Sequence, residues 1–280
     1  MVVPMVKLSS GYEMPLLGLG TRRSNPGEMG KAVEVAVNTG YTHIDCAWLY
    51  NNQKHVVEIL DQLQLTYIDL MLIHWPVAYE EGGDPFPKRP GSDKLKHSSE
   101  DYVTTWTVLE DFVKERKIRN IGISNFNHKQ IERLIANSTI KPAVLQVELH
   151  PYLQQKNLRE FCKQNGIAVT AYSSLGNPGS AYFRKPGDPN ILTDPVVTRI
   201  AAAHGKTPAQ VSLRWAVQQN IIVIPKSTSE ERIKENSAVF DFQLTEAEMK
   251  EIDGLDRGWR IVDLSARDSQ NPHFPFFEEY

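Results

Sequence analysis

A chain of 280 residues, 41% hydrophobic and 23% charged, is ordinary globular material, long enough for one large α/β barrel or two small domains. With 31 Lys+Arg against 34 Asp+Glu the formal net charge is −3 and no basic block occurs, which argues against nucleic acid as the main partner and favours a small molecule. Cys46 and Cys162 fall in no metal or redox spacing and are expected to be buried thiols in a reducing compartment. With no signal peptide and no apolar run near the roughly 18 residues of a membrane span, a soluble cytoplasmic protein is expected.

Residues 5–8 and 11–15 flank a Ser-Gly turn and predict a small hairpin capping one end. From there short aliphatic runs alternate with amphipathic stretches, the pattern of βα units around a parallel sheet. Strands are predicted over 16–18, 43–45, 68–73, 120–123, 144–147, 169–171 and 221–224. The intervening helices are predicted over 27–38, 53–63, 101–117, 128–136, 157–165, 195–204 with 208–218, and 230–238. Residues 245–255 keep a helical period, and the tail from Gly258 is rich in aromatics and proline. Two long loops, 77–100 and 177–194, follow strands, where barrels place their ligands. No linker divides the chain, so residues 1–280 are expected to form one domain. A closed parallel barrel has eight strands and seven are predicted, although the interval between those at 43 and 68 is normal for one βα unit.

Gly18-Leu19-Gly20-Thr21 is followed by Gly40-Tyr41-Thr42-His43-Ile44-Asp45-Cys46-Ala47 with Tyr50, and then by Leu72-Ile73-His74-Trp75-Pro76 and Gly122-Ile123-Ser124-Asn125-Phe126. Further on come Gln146-Val147-Glu148 with His150-Pro151-Tyr152, Ala171-Tyr172-Ser173 and Ile224-Pro225-Lys226-Ser227. In this order, and over nearly the whole chain, these strings resemble the aldo-keto reductases of the aldehyde and aldose reductase type. The resemblance implies a TIM-type (β/α) barrel with an N-terminal hairpin cap and an NADPH-dependent reduction of an aldehyde or ketone. It also implies a monomer, unless a shortened barrel leaves an open edge to pair with another chain.

In that family a tyrosine protonates the carbonyl oxygen, assisted by an aspartate, a lysine and a histidine. Tyr50, Asp45 and His74 match three of the four. The lysine normally lies in a Ser-Lys-Leu-Trp type string between tyrosine and histidine, and no such string lies between Tyr50 and His74. The resemblance therefore implies an internal deletion of about one βα unit. Lys54 is the local candidate to replace the lysine, with a solvated helical lysine as the plainer reading. The cofactor positions match more fully. Ser124, Asn125 and Gln146 correspond to residues bonding the nicotinamide amide, and Tyr172 to the aromatic stacked on its ring. Lys226, Ser227, Thr228, Arg232, Glu235 and Asn236 correspond to the adenosine end, and Gly20, Thr21, Ser173 and Leu175 complete the set. Lysine as a point charge and arginine as a planar fork suit the ribose phosphate of NADPH. The plainer reading of residues 226–236 is a surface helix with Thr228 and Glu231 as a capping box. Trp75 and the tail aromatics Phe274, Phe276 and Phe277 are candidates for an apolar substrate wall. Arg22 replaces the family's usual tryptophan and Ser174 its usual proline, which implies a changed pocket. Two other readings remain open at this point: a non-catalytic, splice-form-like cofactor binder, and a barrel hydrolase using Asp45 and Glu148 as paired carboxylates.

Overall fold

The computed structural model describes residues 2–22, 26–47, 66–80, 84, 86–92 and 94–278; Tyr50, Lys54 and the helix predicted over 53–63 lie outside these residues. In chain order the elements are β1 (Met5–Lys7), β2 (Glu13–Pro15), β3 (Leu19–Gly20), α1 (Pro26–Thr39), β4 (Ile44–Asp45), β5 (Ile68–Ile73), α2 (Tyr102–Lys114), β6 (Ile118–Ser124) and α3 (His128–Ala136). They continue with β7 (Val144–Glu148), α4 (Lys156–Asn165), β8 (Ala168–Tyr172), α5 (Pro195–His204), α6 (Pro208–Val217), β9 (Ile222–Val223), α7 (Glu230–Ser237), α8 (Glu246–Asp253) and the four-residue α9 (Ser265–Asp268). Among the described residues no helix is long and apolar enough to cross a membrane. The residues gather into two compact units that alternate along the chain. One draws on Met1–Leu65, Glu148–Gln154 and Val169–Ile261, the other on Thr66–Val147, Gln155–Ala168 and Val262–Tyr280.

The first unit opens with the predicted hairpin. β1 and β2 pair antiparallel, and Gly11, at φ +90° where a side chain would be strained, closes the turn by donating to Leu8 O at 2.9 Å. The predicted first strand runs further than expected. Leu16 and Gly18 bond to Val223, whereas Leu19 and Thr21 donate to His43 and Asp45 carbonyls, so successive residues serve the neighbours on opposite sides. β3 therefore lies parallel between β4 and β9, and β9 pairs in parallel with β8. Leu17, Ile222, Val223, Val211, Leu213 and Trp215 are buried in its core, and the Trp215 indole N–H donates to Asp253 at 2.9 Å. α1 packs on α7, where the buried Tyr41 hydroxyl donates to Ile233 O at 3.0 Å.

In the second unit β5, β6 and β7 are parallel, with Leu72 opposite Gly122 and Ile123 opposite Leu145. β6 is buried along most of its length, yet β5 leaves Ile68 46% and Met71 42% exposed. α2 covers β5 and β6 and buries Trp106 completely, its indole donating to Ile140 O at 3.0 Å. This helix stops at Lys114 instead of the predicted 117. Arg116 turns left-handed at φ +60°, and the Lys117 amide closes back on Phe112 O at 3.0 Å. The two cysteines part company. Cys162 is buried, which pushes its thiol up to about 12, while Cys46, expected to be buried, lies exposed just past the last paired residue of β4.

Asp101 caps α2 by accepting from the Val103 amide at 2.9 Å and binds Arg133 of α3 in a fork at 2.9 and 2.5 Å. The Arg133 hydrogen bonds hold the Asp101 carboxyl down at about 2. The pair's contribution is therefore complete above the ordinary aspartate range near pH 4 and is lost as pH falls through about 2. Asn keeps the cap, so Asp101→Asn is expected to cost about 0.5–1 kcal/mol at pH 7. The gap between the two denaturation midpoints should narrow as pH falls from 5 towards 2; a gap independent of pH contradicts the assignment.

Candidate functional site

His74 stands exposed one residue beyond β5, and its main-chain carbonyl accepts from Asn125 Nδ2 at 2.9 Å. Asn125 follows the last residue of β6 and takes a left-handed backbone, φ +62°, which lets its N–H donate to Gln146 O at 3.0 Å. The Ser124 hydroxyl donates to the same carbonyl at 2.8 Å, and Asn125 Nδ2 also reaches Ser124 Oγ at 3.1 Å. Ser124, Asn125 and Gln146 are all buried, so four of the sequence-predicted positions form one hydrogen-bonded group in this unit. Trp75, half-buried, meets the Phe276 ring edge-on at 5.7 Å, and Phe276 meets Phe274 at 5.4 Å. Three of the candidate aromatics, Trp75, Phe276 and Phe274, are thus in contact, while Phe277 is 60% exposed and touches them through Phe274.

In the first unit Gly20, Asp45 and Tyr172 stand at the carboxyl ends of their strands, with Thr21 one residue beyond. Thr21, fully buried, donates from both its amide (3.1 Å) and its hydroxyl (2.8 Å) to the Asp45 carbonyl, fixing the end of β4 against β3. Gly20 bridges to Lys226, and a Cβ there would fall 2.6 Å from Ile224 O. Only a glycine allows the 224–226 backbone so close. Beyond it the Ser227 hydroxyl accepts from the Ser229 amide at 3.1 Å, and Ser229 caps α7 by accepting from Arg232 N at 3.3 Å. The expected Thr228–Glu231 capping box does not form, because that turn carries the chain one residue further and leaves Thr228 exposed. Lys226 and Arg232 are exposed at this helix start, whose positive dipole end favours an anion. Glu235 is engaged inside the fold, its carboxylate accepting from the Thr207 hydroxyl at 2.6 Å, and Asn236 is buried.

Tyr172, the last residue of β8, is partly buried, and Ser173 turns left-handed at φ +51°, its carbonyl accepting from Gly176 N at 2.7 Å around the half-buried Leu175. Ser174 is buried with its hydroxyl unpartnered among the described residues. A buried orphan donor next to Ser173, with Lys226, Ser227 and Arg232 at a helix start in the same unit, is donor chemistry that fits a phosphate-bearing cofactor. Arg22 lies 4.7 Å over the Phe183 ring of the 177–194 loop. Glu148 is fully buried, taking the Ile261 amide at 2.7 Å and His150 Nε2 at 3.0 Å. A carboxylate committed in this way offers nothing to a glycosidic bond, and the hydrolase reading falls with it.

Residues 51–257 match the family model described as the Aldo/keto reductase family. The chain is 39% identical to "Aldo-keto reductase family 1 member A1" of Cricetulus griseus, covering 98% of this chain and 99% of that one. It is 38% identical to the protein of that name from Homo sapiens, covering 100% of both. The human alignment runs over 327 positions against 280 residues here, so the relative has sequence without a counterpart in this chain. The solved "Structure of the Aldose Reductase from Schistosoma japonicum" superposes with a TM-score of 0.88 at 37% identity, covering 99% of this chain and all of that one. The chain belongs to the aldo/keto reductase family, whose members are NADP-dependent oxidoreductases, and its fold class is the TIM-type α/β barrel.

Gly20→Ala should force β3 away from Ile224, costing about 1–3 kcal/mol. Gly30→Ala, in open space on α1, should instead stabilise by about 0.5–1 kcal/mol. Denaturant titrations of both variants check the pair, and a Gly20→Ala chain as stable as the parent refutes the close approach.

Proposed function

We propose that this aldo/keto reductase reduces an aldehyde or ketone to the alcohol with NADPH, with Tyr50 as proton donor, at a rate lowered by the absence of a catalytic lysine. The Asn125 Nδ2 to His74 O hydrogen bond supports this most, because it ties the residue proposed at the carbonyl oxygen to those proposed at the nicotinamide. When bound, the cofactor supplies a hydride to the carbonyl carbon. Negative charge develops on the oxygen, and Tyr50 hands it a proton while His74 donates a hydrogen bond. Asp45 assists Tyr50 from the end of β4. Ser124, Asn125 and Gln146 orient the carboxamide, Tyr172 stacks on the ring, and Gly20, Thr21, Ser173 and Leu175 line the path to the phosphates. Lys226, Ser227, Thr228 and Arg232, with Glu235 and Asn236 behind them, hold the ribose phosphate and favour NADPH over NADH. We take residues 1–280 as one catalytic domain, monomeric and cytoplasmic.

The sequence between Tyr50 and His74 supports the second reading, a silent cofactor binder. A tyrosine near pKa 10 needs a neighbouring cation to serve at neutral pH, and losing it removes a large part of the ~10²- to 10⁴-fold that acid catalysis supplies.

Titration with NADPH and with NADH, followed by addition of a reactive aldehyde, separates the two. Arg232→Ala is expected to weaken NADPH by about 10- to 100-fold and NADH by no more than about twofold. Tyr50→Phe should remove aldehyde-dependent oxidation of NADPH without changing its affinity. NADPH binding with no aldehyde response in the parent chain establishes the silent binder; no binding at all overturns both readings.

A further inference from the structure

The unit that holds His74 contains a second buried polar cluster, where α9 meets the 77–100 loop. Asp268 is 1% exposed. Its Oδ2 accepts from the Tyr79 hydroxyl at 2.9 Å and from Arg267 Nε and Nη2 at 2.8 and 2.6 Å, and its Oδ1 lies 3.2 Å from His97 Nε2. Arg267 Nη2 also donates to the Tyr79 oxygen at 2.9 Å. Tyr79 and His97 pair across the loop, and their rings stack 5.6 Å apart at 26°. The Arg267 guanidinium lies 5.0 Å over the Phe86 ring. A buried carboxylate is tolerated when a cation and hydrogen-bond donors fill its lone pairs, and each donor here comes from a segment that needs holding.

Beyond the cluster the tail is pinned step by step towards the site. His273 O accepts from Gln130 Nε2 at 2.8 Å, Pro275 O accepts from Asn127 Nδ2 at 2.9 Å, and Phe276 then meets Trp75, the neighbour of His74. Aromatic packing gives such a tail adhesion but little register, which directional, charge-assisted bonds supply. The side of Trp75 that Phe276 covers depends on where α9 is fastened.

We propose that Asp268 is a positioning residue for substrate selection. By fastening the 77–100 loop to the tail it fixes Phe276 against Trp75, and so sets the wall beside His74. The selection role rests on the carbonyl reductase reading; the fastening does not.

Asp268→Asn and the milder Tyr79→Phe, compared with the parent chain, test it. For Asp268→Asn the KM for a bulky aromatic aldehyde should rise about 10-fold while kcat for a short aliphatic aldehyde stays within about twofold. Tyr79→Phe should move the same KM by about two- to threefold, and NADPH affinity should hold in both. Hydrogen exchange should quicken in residues 77–100 and 262–278 together. Equal losses for both aldehydes, or unchanged constants, overturn the selection role, and exchange that quickens in one segment alone, or in neither, overturns the fastening. A parent chain inert towards both aldehydes defeats the reductase reading and the selection role with it, while exchange still decides the fastening on its own.

Discussion

A parallel strand that must stop and turn at once can do so by letting the residue after its last paired position adopt a left-handed backbone. β6 and β8 both end in this way, at Asn125 and Ser173, and neither residue is the glycine that would make the turn cheap. Such a conformation costs on the order of 1–3 kcal/mol and persists only where the surroundings over-determine it. At Asn125 the return is a main-chain hydrogen bond to the Gln146 carbonyl and a side-chain hold on His74, and at Ser173 it is the hydrogen bond its carbonyl accepts from Gly176. Gly176, itself at φ +72°, has Ile191 where a Cβ would go, so the loop behind Ser173 has little latitude. Several of the residues proposed to meet cofactor and substrate, among them His74, Gln146 and Leu175, are held at one or other of these corners.

The acids and bases of the described residues divide by depth. Two of the buried carboxylates join pieces of the fold through main-chain amides. Glu110 takes the amides of Thr139 and Ile140, both at 2.7 Å, and Glu148 takes that of Ile261. Each replaces the water that those N–H groups would otherwise need. The cations proposed to hold phosphate, Lys226 and Arg232, are instead left exposed at the start of a helix. Burying them would have required partners of the kind the carboxylates already have.

The alternation of short aliphatic runs with amphipathic stretches made the order of elements legible. Boundaries were legible where backbone chemistry is local, as at Gly166, whose left-handed conformation ends α4 where a glycine after a helical run says it should. They were less so where the deciding contact was remote or subtle. β3 runs past its predicted end because two neighbouring strands share its amides, and Ser229 displaces Thr228 as the cap because of one side-chain turn. Cys46, expected to be buried for want of any metal or redox spacing, falls beyond the pairing of a two-residue strand. The Asp268 cluster had no signal in the sequence. Tyr79 and His97 are more than 170 residues from their partner, and nothing in a polar loop or a proline-rich tail marks them as belonging together.

The alternation of the two units along the chain bears on how the protein is made. The unit with His74 begins at Thr66 but takes in Val262–Tyr280, the stretch that carries Asp268 and the carbonyls held by Gln130 and Asn127. During synthesis β5, β6 and β7 emerge early and wait while Glu148–Gln154 and Val169–Ile261 of the first unit are made before that stretch leaves the ribosome. In the interval the exposed side chains of Ile68 and Met71 are joined by the aromatic face that the tail later covers at Trp75. A nascent chain of this design spends most of its translation with adhesive surface uncovered, so chaperone capture and the pace of elongation, more than final stability, set how much of it reaches the native state.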